Sequence, residues 1–219
     1  MPDSFVEGID VSSNQGQVDW PAVAKTGKAF AFARATIGGH QADVHFPENW
    51  TAISGAGLMR GAYHFFWPLT SWKAQADNFI TTVGPLQPGD LPPVLDLEEA
   101  IPKSSPLKRD AWDDVPANQR LSTVQSWLDT VERGVGMRPI IYTRQNFIEA
   151  LLGSGVDALN TYGLWIAHYQ VPQPSIPSSW VSWTFWQHSD KGSIDGVRGD
   201  VDCDRFNGSL AALQALRKI

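Results

Sequence analysis

Short apolar runs alternate with amphipathic stretches along most of this chain, and that alternation predicts strands separated by helices. Residues 5–11 (FVEGIDV) read as a first strand ending at Asp10, followed by the polar turn SSNQG. Asp19 is placed to cap a helix that carries Pro21 in its first turn and runs to Gly27. Residues 29–36 form a second strand closed by Gly38 and Gly39, and residues 47–56 a helix with Trp50 and Ile53 on one side. A third strand follows at 60–66. Thr70 or Ser71 then opens a helix with Trp72, Ala76, Phe79 and Ile80 at helical spacing. Residues 94–98 are the fourth strand. Residues 101–118 are the longest irregular stretch, with Trp112 inside, and a long amphipathic helix over 118–134 carries the stripe Leu121, Val124, Leu128 and Val131. Strands at 138–143 and 163–169 flank a short helix at 146–152. Beyond Tyr169 two more strands, 183–188 and 199–203, have no helix between them, and residues 209–218 close the chain as a helix.

The pattern amounts to eight strands with helices in the first five crossovers only. Alternating strands and helices pair in parallel with right-handed crossovers. The expected fold is therefore α/β: a closed barrel of modified (β/α)5(β)3 type with an incomplete helical coat, as one domain spanning residues 1–219. In such barrels chemistry sits at the C-terminal strand ends. Asp10 would then lie at the end of strand one, Asp96 and Glu98 at strand four and Asp202 at strand eight, with Asp10 and Asp202 neighbours. Tyr63, His64, Tyr142, Trp165 and Trp186 would stand on the same rim.

The stretch LPPVLDLEEA, residues 91–100, carries the sharpest chemical signal. Its apolar positions mark a strand covered on both faces, and Asp96 and Glu98, two apart, leave from one face roughly 7 Å apart at the backbone. Burying two unpaired carboxylates costs several kcal/mol or shifts their pKa. Pairing with Arg or Lys at the strand end is one reading of the motif. The other is a general acid beside a second carboxylate, which is what glycoside hydrolysis requires.

Composition narrows the classes. Ten Trp and ten Phe in 219 residues are an unusual share; most of the Trp are read as core, and the excess suits a groove for sugars or other flat, partly apolar ligands. A net charge of −6 with no long basic run argues against nucleic acid or an anionic membrane surface as partner. Cys203 is the single cysteine, so neither a disulfide framework nor a thiolate metal cluster is expected. No apolar run of about 18 residues is present, so nothing is expected to insert in a membrane, and the first residues lack a signal-peptide pattern. No H-x-x-x-H or cysteine pair supports a metal site at His64, His188 and Asp204, and the alternating Asp202 and Asp204, which could offer oxygen ligands to Ca²⁺, lack the EF-hand pattern, so no metal or cofactor is expected.

Taken in order, the motifs GIDVSSNQG, GAYHF, PVLDLE, PIIYT, LWIAHY, WQ and GDVDCDRFNG, between residues 8 and 208, resemble the glycoside hydrolase family 25 lysozymes, the muramidases of Chalaropsis type. The resemblance implies cleavage of the β-1,4 bond between N-acetylmuramic acid and N-acetylglucosamine in bacterial peptidoglycan, in a chain acting at the cell wall as a monomer. It implies Glu98 as general acid and Asp96 as the second carboxylate, with Asp10 and Asp202 supporting them. It also implies sugar-contacting walls from Tyr63, His64, Tyr142, Trp165, Tyr169 and Trp186. The chain departs from the family where Ala-Thr-Glu-Gly becomes Ala35-Thr36-Ile37-Gly38, which bears on substrate range or pH optimum. No wall-binding repeat or added domain is visible, and the acidic charge offers no attraction to an anionic wall, so salt should affect activity. A barrel that binds glycan without turnover, or one serving only as a scaffold for a partner protein, stands as the alternative.

Overall fold

A computed structural model describes residues 5–102 and 108–219. The readings of the first four residues and of 103–107, within the long irregular stretch, lie outside the described residues. The elements follow in order as β1 (Val6–Val11), α1 (Trp20–Lys25), β2 (Phe30–Ile37), β3 (Gln41–Ala42), α2 (Phe46–Gly55), β4 (Met59–Phe65), α3 (Trp72–Val83), β5 (Val94–Asp96), α4 (Ala117–Val135), β6 (Ile140–Thr143), α5 (Gln145–Leu152), β7 (Gly163–Ala167), β8 (Phe185–Gly192), β9 (Val201–Phe206) and α6 (Leu210–Ala215). The caps act as their residue types predict: Asp19 accepts from the Ala22 amide at 3.1 Å, and Ser209 from the Ala212 amide at 3.2 Å.

Strand order is β1-β9-β8-β7-β6-β5-β4-β2, with β1 pairing β2 to close an eight-stranded barrel, and β3 is a two-residue hairpin partner of β2 outside the ring. Strands β1 to β8 of the ring pair in parallel, whereas β9 runs antiparallel to both neighbours. That reversal corrects one expectation. Asp202 does not end its strand; it stands near the start, and because β9 points the other way it still arrives at the C-terminal rim, opposite Asp10 in register.

Side chains alternate in and out along each strand, so the core has two layers. Outward residues such as Ile9, Ala62, Leu95, Ile141 and Leu164 pack under the helices. Inward residues form an aromatic plug of Phe30, Phe32, Trp165, Phe185 and Phe206. Phe32 lies 4.6 Å from Trp165 and 5.2 Å from Phe185, ring centre to ring centre, the latter edge-to-face. Gly8 and Gly61 make room for this plug: a Cβ there would stand 2.3 Å from the Phe30 ring and 2.2 Å from the Phe32 ring. The plug closes the barrel from below and leaves a dry floor under whatever stands on the rim.

Candidate active site

Every one of the eight barrel strands sends at least one side chain into a cleft at the C-terminal rim, among them Asp10, Arg34, Tyr63, Asp96, Tyr142, Trp165, Gln187 and Asp202. Glu98, Phe65 and the turn residues Ser12, Asn14 and Gln15 complete its walls, and the cavity measures about 320 Å³. Strand β5 ends at Asp96, but the extended geometry continues far enough for the Leu97 amide to bond the Tyr142 carbonyl at 2.9 Å. Leu97 therefore turns out into the core, and Glu98 returns to the cleft on the side of Asp96.

The cleft holds far more acid than base. Burial and the nearby Glu98 charge push the Asp96 carboxyl well above the usual range, although Arg34 and Arg144 oppose this. Asp96 is 6% exposed, and no donor among the described residues reaches its Oδ1. Burial, the charge of Asp204 and that of Asp202 raise Asp10. Burial and then Asp190 raise Asp202 to about 6. Glu98 is lifted to about 7 by burial; Arg144 pulls it down while Glu99 and Asp202 push it up. The Glu98 side chain keeps about 30% of its surface open, so it has both a dry back and access to a ligand. A carboxyl that still holds a proton near neutrality is suited to general-acid work.

Neutral groups hold these acids in place. The Gln187 amide donates to Asp10 Oδ2 at 2.7 Å, while its carbonyl accepts the hydroxyls of Tyr142 at 2.7 Å and Tyr169 at 2.5 Å. Arg34 is pinned by Asp43 at 3.0 Å and by the Ser13 hydroxyl at 3.0 Å. Buried Trp112 stacks on Phe66 and donates from Nε1 to the Glu98 carbonyl at 3.2 Å, which fixes the backbone of the acid from the long loop. Arg144 hydrogen-bonds Glu99 and lies 3.9 Å from Glu98. No group of three or more His, Cys, Asp or Glu side chains among the described residues is arranged to hold a metal ion.

Two residues expected on the rim are elsewhere. His64 is fully buried on the outer face of β4, stacked on Trp127, because its neighbour Tyr63 takes the inward position. The Trp67 amide and His64 Nε2 both donate to the Gln75 carbonyl, so His64 Nδ1 accepts the Thr36 hydroxyl at 2.7 Å. Burial lowers this imidazole to about 4, and it stays neutral. Trp186 likewise turns outward, donates to the His168 carbonyl at 2.7 Å and packs against Trp183. Parity on β8 gives the cleft Gln187 instead. The sequence pattern assigns no role to Gln187, Arg34 or Arg144 and weighs Asp204 only as a metal ligand; for the three on strands, the signal lies in their two-residue spacing from Phe185, Phe32 and Phe206. Ile37 ends β2 beside Phe65 and lines a separate cleft with Trp67 and Ile101.

The family model for glycosyl hydrolases family 25 matches residues 9–197. The chain belongs to that family. As a family 25 enzyme it is a glycoside hydrolase, and its relatives agree over nearly its whole length. Lysozyme M1 of Streptomyces globisporus is 37% identical, over 97% of this chain and 71% of its own. The uncharacterized protein YegX of Escherichia coli K12 is 39% identical over 98% of this chain and 75% of its own. The crystal structure of a bacterial lysozyme from Streptomyces coelicolor superposes with a TM-score of 0.90 at 36% identity, covering 98% of both chains. No helix among the described residues of this family 25 chain is long and apolar enough to cross a membrane.

Proposed function

We propose that this family 25 hydrolase cleaves the β-1,4 bond between N-acetylmuramic acid and N-acetylglucosamine in bacterial peptidoglycan, with Glu98 as general acid and Asp96 as the second carboxylate. The observation that carries the reading is the pairing of a half-open carboxyl raised to about 7 with a buried, unsatisfied carboxyl two residues before it, in a cleft to which all eight barrel strands contribute. Glu98 protonates the glycosidic oxygen as the bond breaks. Asp96 faces the positive charge growing on the sugar, and stabilises it directly or by orienting the 2-acetamido group that attacks the anomeric carbon. Asp10 and Asp202 hold the sugar and keep the cleft negative, which suits an oxocarbenium-like centre, and Asp202 helps to raise Glu98. Tyr63, Tyr142, Trp165 and Tyr169 form the contacting walls, and Arg34 fixes polar substituents. The chain acts at the wall as a monomer, without nucleic acid, cofactor or metal, and reaches the wall by secretion, phage release or injection.

Mass spectrometry of digests of purified peptidoglycan tests the reading. Fragments ending in reducing N-acetylmuramic acid are expected. Fragments ending in reducing N-acetylglucosamine would assign the other glycosidic bond, and intact glycan that still retains the protein would mean a binding barrel without turnover.

A pH effect of defined sign follows from the ion pair beside the acid. Glu98 must hold its proton, so activity falls as pH rises through about 7. Arg144 lowers Glu98 and Glu99 raises it. Arg144→Met should move the alkaline limb of the profile up, and Glu99→Gln should move it down. Both shifts should shrink in high salt, because Arg144 is about half exposed. Limbs that move together, or not at all, would remove this pair from the tuning of the acid.

A further inference from the structure

Asp204 stands one inward position beyond Asp202 on β9, and the reading above gives it no task. It is wholly buried, and its Cα is paired with Gly8 on one side and Gln187 on the other. Its Oδ1 accepts the Trp165 Nε1–H at 3.0 Å. No N–H or alcohol among the described residues donates to Oδ2, while the Asp10 carboxyl lies within hydrogen-bonding reach. Two carboxylates so close in a dry barrel cannot both be charged; a single proton between them makes a strong O–H···O⁻ bond. The other groups facing Asp204 do not supply an alternative. Asp202 on its own strand adds negative charge, Lys28 acts on it only at a distance, and Trp165 and Gln187 are neutral.

The opposite end of the same arrangement is already tied down. Gln187 spends an amide hydrogen on Asp10 and accepts both tyrosine hydroxyls. Asp10 is thus held through Oδ2 from one side, with the Asp204 carboxyl on the other. We propose that Asp204 is a positioning residue for the reaction: it shares one proton with Asp10 and so holds that carboxyl, and the Gln187 amide beside it, in one orientation at the cleft. The inference rests on the cleavage reading given above. It adds a fifth carboxyl that touches no substrate and acts only through Asp10.

Asparagine at position 204 can donate where the shared proton did, whereas leucine matches the volume and donates nothing. Asp204→Leu should lower kcat on peptidoglycan about tenfold or more with little change in KM, as expected when a buried acceptor loses its donor. Asp204→Asn should restore most of that loss. Infrared difference spectra of the full chain, with aspartate labelled at the side-chain carboxyl, give a second readout. Recorded above pH 7 in an Asp96→Asn background, which removes the other raised aspartate of the cleft, a protonated-carboxyl band present in the parent should vanish when either Asp204→Asn or Asp10→Asn is added. A band that persists in both variants overturns the proposal, as does Asp204→Asn that is no better than Asp204→Leu. If the leucine variant does not fold, the asparagine variant decides: a lost band with activity retained supports the proposal, and lost activity overturns it. Glu98→Gln, assayed alongside, reports on the cleavage reading separately, because the infrared comparison does not depend on turnover.

Discussion

Glu98→Gln is expected to reduce kcat on peptidoglycan by about 10²–10⁴-fold, the usual contribution of a positioned general acid. Glutamine keeps the shape and loses the transferable proton, so KM should change little and the fold should be retained. The loss should also depend on the leaving group. An aryl glycoside whose phenolate departs without protonation asks little of the acid, and on such a substrate Glu98→Gln should be far less impaired. The two measurements together separate acid catalysis from a binding defect, which would damage both substrates alike. Turbidity loss of a wall suspension gives the first value and phenolate release the second. A variant within a few-fold of wild type on the wall suspension would sink the assignment of Glu98.

Much of this arrangement was legible in the sequence because two periodicities carry it. Apolar runs and helical stripes placed the barrel strands to within a few residues, and Asp-x-Glu on an apolar strand already put both carboxylates on one face. Asp10 and Asp202 could be set side by side since a closed barrel makes the first and last strands neighbours. The errors also have physical causes. Tyr63 and His64 cannot both stand on the rim, because adjacent residues of a strand face opposite ways. An aromatic rim suggests Trp186, but the parity set by inward-facing Phe185 turns Trp186 outward and gives the cleft Gln187. The reversed direction of β9 was hidden, because hydrophobic pattern carries no sign of strand direction, and Asp202 reached the rim regardless. Arg34, Arg144 and Trp112 act through tertiary contacts with Asp43, Glu99 and the Glu98 carbonyl. No local pattern encodes those pairings.

Asp96→Asn should separate activity from stability in opposite directions. Activity is expected to fall by a factor on the order of 10² or more, since the amide cannot balance charge on the sugar. Stability should rise by about 1 kcal/mol, or about 2–4 °C in Tm for a chain of this size, because a carboxyl that folding places where it ionises only at a cost has been removed. The sign with pH distinguishes this from a generic effect. Folding raises the Asp96 pKa, by burial first and by Glu98 next. The folded state therefore holds a proton that the unfolded state has already released, and wild-type stability declines as pH climbs from the ordinary carboxylate range toward the raised value. Asparagine does not titrate. Its advantage should be absent at acid pH, where both forms of the wild-type carboxyl are neutral, and should grow as pH rises. Denaturant titrations of both proteins at a series of pH values measure that difference directly. An advantage that is the same at every pH, or a variant less stable than wild type at neutral pH, would mean that Asp96 is satisfied in the folded protein and that its unpartnered oxygen is not a reserve of charge kept for the reaction.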